Sequence, residues 1–466
     1  MSGDGTIERV AEATIRDAVN ITVYGNPVLD VVVQLGPFAI NARAKRALEK
    51  IAAIHPDGAI EFKPDSFIVM YHQREEYVFG PLNPSGRLEV FRPGGKFPVP
   101  FCIGRESLVH AAPSHVTELV GPELRLGGGG ANVLDGFFDV FAQLKVQFIA
   151  TVERSEAEGR LDPFIKAITD VVGVFDPVKL YSYPGLNLAI EGLGLSNERT
   201  ILVAQLPAEQ PPAKLPRPRG KTIMVNTLYS PRVAVDALAN SIAADRLAVL
   251  ALTRSLCSTN TLPDSAIEFL REEHPRLFGD ANSVRIDSVR DFVKRFVLPQ
   301  AQCISIMNED ELAHITGVDL FVERGKTRVA SLSGIIAALC SFRDLQAGRQ
   351  DRIYVTAGRW GSFVLDERNH LIHCGIYNDP KGILHGTTAI GDTYATFVLA
   401  LETIGNYIRP YVIPAEDVIR AAAGGADTCV YEGFGSFDVA KVNRYVEEPS
   451  RLVVDLGPID TFPAEN

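Results

Sequence analysis

The order of apolar and polar positions along the chain predicts an α/β fold. From about residue 120 onward, short apolar runs typical of buried strands alternate with longer runs of helical period. The strand candidates are 146–151, 200–205, 222–226, 248–252, 303–307 and 352–356. The helical candidates between them include 131–144, 163–172, 287–296, 309–316 and 328–343. Strands that alternate with helices usually pair in parallel, so we expect a largely parallel central sheet.

The first quarter of the chain has a different pattern. Residues 6–19 and 41–54 have helical period, whereas 21–33 predicts two strands broken at 25–27 by a Gly-Asn-Pro sequence. Short β-type runs separated by Gly and Pro follow at 67–71, 76–79 and 87–91. We therefore expect a catalytic domain made of 1–35 and 121–466, with an inserted segment at 36–120 that carries a small sheet.

Composition and charge exclude some classes of function. The chain has 466 residues, a hydrophobic fraction of 46% and a net charge of -11, which argues against a nucleic-acid binder. The six cysteines form no CxxC pair, so the sequence favours reduced thiols and a cytoplasmic location over a zinc ribbon or a disulfide scaffold. We find no apolar signal core at the N-terminus, and no apolar run long enough to span a membrane.

The segment Gly386–Asp392 places one carboxylate where a turn of small residues meets an apolar helical pattern. Backbone N–H groups at a helix start attract anions. A carboxylate beside such a site can take a proton from a hydroxyl that attacks phosphate, which indicates a kinase. The simpler alternative is an acidic first-turn residue that favours the helix dipole, and this segment alone leaves both open.

A second turn rich in glycine, Gly127–Gly130, precedes Asn132 and another helical pattern. Glycines allow a ligand to approach the backbone closely, and a first-turn asparagine can bind hydroxyl groups. The alternatives are a flexible hinge or a generic phosphate loop. Val133 breaks a GxGxxG pattern, and Leu215 stands where a P-loop needs glycine before Gly220, so neither motif is indicated.

Together, several motifs resemble those of the ribokinase-type (PfkB family) carbohydrate kinases. They occur in the expected order: Gly25–Asp30, Gly127–Asn132, Asn308–Glu311, Thr356–Gly361 and Gly386–Asp392. The resemblance implies a ribokinase-like three-layer α/β/α domain and a small β-sheet lid over the acceptor. It also implies a kinase that transfers the γ-phosphoryl group of ATP to a hydroxyl of a sugar or nucleoside.

The resemblance implies a role for each matching residue. Asp392 would be the catalytic base, with an anion hole at 389–392 that includes Ala389, Ile390 and Gly391. Asp30, Gly128, Gly129 and Asn132 would bind the acceptor, and Thr356, Gly358 and Gly361 would contact the nucleotide phosphates. Asn308 and Glu311 would act on Mg²⁺, with Glu311 contacting it through water. Taken alone, the Asn308–Glu311 pair would be a capped helix start, and Thr356–Gly361 would be a hairpin turn.

Departures from the family pattern leave alternatives. Gly386 stands where many relatives carry an aspartate of a monovalent-cation site, so the sequence does not favour activation by potassium. The segment between Asp30 and Gly127 is longer than in ribokinase, which suggests a bulkier acceptor, a homodimer contact through the lid, or an ADP-dependent sugar kinase. Gly386 and Ile390 also leave open a catalytically weak sugar- or nucleotide-binding protein of the same fold.

Overall fold

A computed structural model describes most residues of the chain. They are 20–25, 28–34, 42–56, 58–72, 75–88, 90–91, 96–99, 115–120, 123–141, 143–152, 174–179, 185–191, 200–204, 215–228, 230–243, 246–253, 255–278, 285–300, 302–324, 327–378, 389–408, 412–432, 437–448 and 451–462. The predicted helices at 6–19 and 163–172 lie outside these ranges.

The largest element is a sheet of ten strands, in the order β12-β11-β1-β15-β16-β17-β20-β21-β22-β23. The strands are β1 Ile21–Gly25, β11 Val146–Val152, β12 Val174–Lys179, β15 Thr222–Val225, β16 Leu247–Ala251, β17 Cys303–Asn308, β20 Ile353–Thr356, β21 Ser362–Leu365, β22 His370–Cys374 and β23 Val453–Pro458. Pairing is parallel from β12 to β20 and antiparallel from β20 to β23. The predicted parallel sheet is therefore confirmed.

Helices cover both faces of this sheet. In chain order they are α1 Ala42–Ile51, α2 Gly129–Val140, α3 Pro231–Ala243, α4 Asp264–Glu273, α5 Pro275–Phe278, α6 Val289–Phe292, α7 Glu309–Thr316, α8 Leu332–Leu345, α9 Ile390–Ile408, α10 Ala415–Glu432 and α11 Val439–Val446. Residues of β17 alternate between two cores: Cys303 and Met307 pack with α3, α4, α7 and α8, whereas Ile304 and Ile306 pack with α2, α9, α10 and α11. The domain thus has three layers, α/β/α, as predicted.

A second sheet of five strands has the order β10-β2-β13-β14-β8. Its strands are β2 Val28–Gln34, β8 Lys96–Val99, β10 Glu123–Gly127, β13 Gly185–Glu191 and β14 Thr200–Ala204. Four of them lie outside 36–120, and the predicted strand at 200–205 belongs here and not to the central sheet. We call these five strands the lid sheet. The predicted domain boundaries themselves stay a prediction.

Two smaller three-stranded sheets occupy most of the described part of 52–120. They are β3-β4-β7 and β6-β5-β9, with β3 Ala52–Ile54, β4 Ile60–Phe62, β5 Ser66–His72, β6 Glu75–Phe79, β7 Val90–Phe91 and β9 His115–Val120. Most of their buried apolar residues share one core with α1 and with Leu202 of the lid sheet, whereas Phe67, Val69 and Val78 form a small separate cluster.

Two helix boundaries were predicted wrongly. The run 41–54 ends its helix at Ile51, and Ala52–Ile54 instead pairs with β4. Arg328 lies in a strand of the two-stranded ribbon β18 Phe321–Arg324 with β19 Thr327–Ala330, and α8 begins only at Leu332, after the N-cap Ser331. In both places, pairing with the adjacent strand overrides local helix propensity. The run 287–296 is one α-turn, α6, followed by a π-helical turn at Val293–Val297.

Five cysteines lie in the described ranges, and all five are free thiols. Among the described residues, no helix is long and apolar enough to cross a membrane.

Candidate active site

The predicted site residues gather at one edge of the central sheet, where the parallel strands end. Gly25 is the last residue of β1, Asn308 is the last of β17, and Thr356 is the last of β20. Asn308 and Thr356 are paired in register, so their motifs are direct neighbours. Ligands of open α/β sheets characteristically bind beyond the carboxyl ends of the strands.

The glycine turn before α2 joins the lid sheet to this edge. Strand β10 ends at Gly127, Gly128 adopts φ 90° as N-cap, and α2 starts at Gly129. That backbone conformation favours glycine. A Cβ on Gly130 would lie 2.9 Å from the Cα of Gly25, so the turn packs backbone to backbone against the end of β1.

A buried asparagine, Asn226, fills the space beneath this turn. It follows β15 directly, is 1% exposed, and donates its backbone N–H to the Tyr24 carbonyl at 3.0 Å. Its side-chain oxygen accepts hydrogen bonds from the N–H and hydroxyl of Thr227. A Cβ on Gly129 would overlap the Asn226 amide, so Gly129 must stay glycine for this packing. None of the sequence motifs includes Asn226, although a polar residue directly after a buried strand is a usable signal.

Helix α9 begins at the same edge with a sharp turn. Ala389 is buried and has φ 59°, and the first helical hydrogen bond runs from the Thr393 N–H to the Ala389 carbonyl at 2.8 Å. The N–H groups of Ile390 and Gly391 precede that bond, as expected at a helix start. Gly391 is exposed, and a Cβ built there would meet no described atom within 4 Å. Among the described residues, the side of Gly391 that a Cβ would occupy is therefore open.

The predicted base and a predicted acceptor-binding residue touch each other. Asp392 is half-buried in the first turn of α9, and Asn132 is 5% exposed in the first turn of α2. The Asn132 amide Nδ2 donates to Asp392 Oδ2 at 2.7 Å. The two glycine-rich motifs are thus parts of one site.

The two helices are held together next to this contact. The Thr396 hydroxyl is 2.9 Å from the Val133 carbonyl and 2.9 Å from the Asp392 carbonyl, so it ties α9 to α2. The Phe141 and Phe397 rings meet edge to face, with centroids 5.2 Å apart. The relative position of Asn132 and Asp392 is therefore set by helix packing.

The predicted magnesium motif forms a reciprocal helix cap. The Asn308 side chain accepts from the Glu311 N–H at 2.9 Å, and the Glu311 carboxylate accepts from the Asn308 N–H at 2.9 Å. This is the capping box that the local pattern allowed. The cap fixes the Glu311 carboxylate at the edge of the sheet, one strand away from Thr356.

The turn Thr356–Gly361 joins β20 to antiparallel β21, so it is also the hairpin that the local pattern allowed. Gly358 and Gly361 have φ 45° and 83°, conformations that favour glycine. A Cβ on Gly358 would lie 3.1 Å from the Glu309 carboxylate, which packs against the turn. Burial raises the pKa of Glu309, a residue that the motif analysis passed over.

The chemistry of these side chains fits Mg²⁺ held mostly by phosphate and water. Within the described ranges, no three His, Cys, Asp or Glu side chains converge as a metal site. Mg²⁺ needs only one or two carboxylates when substrate phosphates and waters complete its octahedral shell. Glu309 and Glu311 supply hard oxygen ligands of that kind beside the Thr356–Gly361 turn.

Two predicted positions are described less fully. The backbone of Asp30 lies in β2 of the lid sheet, paired with Arg125 of β10 and Asn187 of β13. Strand β10 ends at Gly127, which pairs with Val28, the first residue of β2. Asp30 therefore lies near the start of the strand that leaves this edge of the site. Gly386, on which the argument about potassium depends, lies outside the described residues.

Comparison with known proteins gives structural similarity only. No protein-family model matches the sequence, and no curated protein matches it. A solved structure of Arabidopsis thaliana ribokinase complexed with ribose and ATP aligns at TM-score 0.48 and 13% identity, covering 92% of this chain and 99% of its own. The Methanocaldococcus jannaschii nucleoside kinase aligns at TM-score 0.48 and 11% identity, covering 92% and 98%. Similarity at this level carries no conclusion about activity, which must come from the site itself.

Proposed function

We propose that this protein is a ribokinase-like (PfkB family) kinase that transfers the γ-phosphoryl group of ATP to a hydroxyl of a sugar or nucleoside. The observation that carries the proposal is the start of α9. There Asp392 lies beside helix N–H donors, in contact with Asn132 and at the carboxyl edge of a parallel sheet. The order of the five sequence motifs supports the same function.

In the proposed reaction, Asp392 takes the proton of the acceptor hydroxyl as its oxygen attacks the γ-phosphorus. The bond between that phosphorus and the bridging oxygen of the β-phosphate breaks, and ADP leaves. The N–H groups of Ile390 and Gly391 donate to the transferring phosphoryl oxygens, where negative charge must be stabilised.

The other site residues bind and orient the substrates. Asp30, Gly128 and Gly129, near the junction of the lid sheet with α2, would bind the acceptor, whereas Thr356, Gly358 and Gly361, in the turn between β20 and β21, would contact the nucleotide phosphates. Glu311, held by its cap with Asn308, would contact Mg²⁺ through water. When bound, Mg²⁺ would offset the charge of the phosphate oxygens.

The test is a phosphoryl-transfer assay over sugars, sugar phosphates and nucleosides, with either ATP or ADP as donor and with Mg²⁺ present. We expect turnover with ATP for at least one acceptor class. Turnover with ADP alone would favour an ADP-dependent sugar kinase. Calorimetric binding of an acceptor without product from either donor would instead favour a binding protein of the same fold.

A further inference from the structure

One contact in the site joins two residues to which the sequence motifs give different roles. Asn132 was assigned to the acceptor and Asp392 to proton transfer, yet Nδ2 of Asn132 lies 2.7 Å from Oδ2 of Asp392. The residues are 260 positions apart and come from two helices that start at the same sheet edge.

This contact has a definite chemical effect. An amide NH₂ group is only a donor, and a hydrogen bond donated to a carboxylate favours its charged form. The same bond limits rotation of the carboxylate about its Cβ–Cγ bond. A general base needs both properties, because it must be ionised and must point toward the proton that it removes.

Asn132 is itself held in place. It is 5% exposed, and its N–H donates to the Gly128 carbonyl at 2.9 Å in the first turn of α2. Gly130 packs against Gly25 at the start of this helix, so α2 has no room to approach β1 further. A donor on such a fixed element orients its acceptor more accurately than a donor on a loop.

We propose that Asn132 is a positioning residue that holds the Asp392 carboxylate ionised and correctly oriented for proton transfer. This inference rests on the function proposed above. It differs from the acceptor-binding role that the sequence motif implied, because it acts through Asp392 on the rate of the chemical step.

The test compares Asn132→Ala and the nearly isosteric Asn132→Asp with the unaltered full-length protein. For Asn132→Ala we expect kcat to fall by about 10- to 100-fold while the acceptor KM changes by less than about 3-fold. We also expect the low-pH limb of the kcat/KM profile to move to higher pH. Asn132→Asp should move that limb further, because two carboxylates would then share one site.

The matched control is Thr396→Val, which removes the hydroxyl that ties α9 to α2 but leaves both side chains of the Asn132–Asp392 pair. It should lower the melting temperature and leave the pH profile unchanged. If Thr396→Val reproduces the pH shift, general displacement of the helices explains it and the inference is wrong.

A second outcome would also overturn the inference. If Asn132→Ala raises the acceptor KM at least tenfold while kcat and the pH profile stay unchanged, Asn132 is an acceptor contact only. Thermal unfolding of each variant shows whether it is folded, and the isosteric Asn132→Asp provides the readout if Asn132→Ala does not fold. Absence of turnover in the unaltered protein would count against the proposed function itself, so the two failures are distinguishable.

Discussion

Helix α9 carries two carboxylates ten residues apart, Asp392 and Glu402, whose surroundings differ sharply. Asp392 is half-buried at the edge of the sheet, where the amide of Asn132 donates to Oδ2. Glu402 is 3% exposed in the middle of the helix, where Tyr354 and Arg352 donate to the same oxygen at 2.6 and 3.0 Å.

The surroundings of Asp392 suit a carboxylate that takes part in a reaction, whereas those of Glu402 suit a carboxylate that stabilises the fold. Arg352 is fully buried and is also bonded to Glu367, so Glu402 belongs to a closed ionic network that fastens α9 to β20. Such a network leaves no space for a substrate. Asp392 lies instead half-buried in the first turn of α9, where the proposed acceptor and phosphoryl group would bind. One helix therefore carries the proposed base at its start and, further along, the ionic network that fastens the helix to the sheet.

We expect the largest effect, a loss of catalytic rate, from Asp392→Asn. It keeps the shape of the side chain but removes the base, so kcat should fall by about 10²- to 10⁴-fold, the usual contribution of general base catalysis. The melting temperature should stay within the error of the unaltered protein. Steady-state kinetics and thermal unfolding check this, and near-normal turnover would remove Asp392 from the role of base.

Glu402→Leu should lower the stability of the protein and leave its turnover unchanged. Removing one partner of a buried ion pair costs about 3–5 kcal/mol of unfolding free energy, and the bond of Arg352 to Glu367 argues for the lower end. Protein that is still folded should keep its turnover. Denaturant unfolding measures the loss.

The double variant Arg352→Met with Glu402→Leu is the control, because it leaves no uncompensated charge between these two positions. It should lose less stability than Glu402→Leu alone. An equal or larger loss would mean that packing, and not charge, makes the network important.

A smaller effect is expected at two first-turn glycines with different surroundings. Gly129→Ala would force a methyl group into the buried Asn226 amide, and overpacking of this kind costs about 1–3 kcal/mol. Gly391→Ala places its methyl group in the open space at the start of α9 and should be stable. Unfolding by denaturant compares the pair, and equal losses would contradict the packing described at Gly129.

The smallest effect on stability is expected for Glu311→Gln. Glutamine can replace glutamate in a capping box, so the unfolding free energy should change by less than about 0.5 kcal/mol. The Mg²⁺ concentration for half-maximal activity should rise, because the charge is gone. Asn308→Ala, which removes the cap itself, should instead cost about 1 kcal/mol. An unchanged Mg²⁺ requirement in Glu311→Gln would leave Glu311 with a structural role alone.

Local patterns predicted the central sheet well. Buried strands such as β16 are continuous apolar runs, and the cap of α7 has its own sequence signature in Asn308 and Glu311, so both were found without long-range information. The same reasoning failed at Ala52–Ile54 and Arg328, where pairing with the neighbouring strand in sequence decides the structure.

Local patterns could not predict which strands form the lid sheet or which residues of the site contact each other. The lid sheet joins β2 to β10 and β13, which are far apart in the sequence, and no short window encodes such pairing. Likewise, the motifs around Asn132 and Asp392 were each recognisable, but their direct contact depends on how α2 packs against α9. Asn226 and Glu309 were not predicted as site residues because each packs against a glycine turn of the site, and no local pattern indicates that contact.

The distance of 260 positions between Asn132 and Asp392 has a consequence for how the site forms during synthesis. Synthesis proceeds from the N-terminus, so the amide donor and most strands of the central sheet are made well before the carboxylate. Closing so long a loop is entropically costly until the intervening strands are paired. A chain released early could contain much of the sheet and the glycine turn of α2, and it would still lack both Asp392 and the helix that presents it.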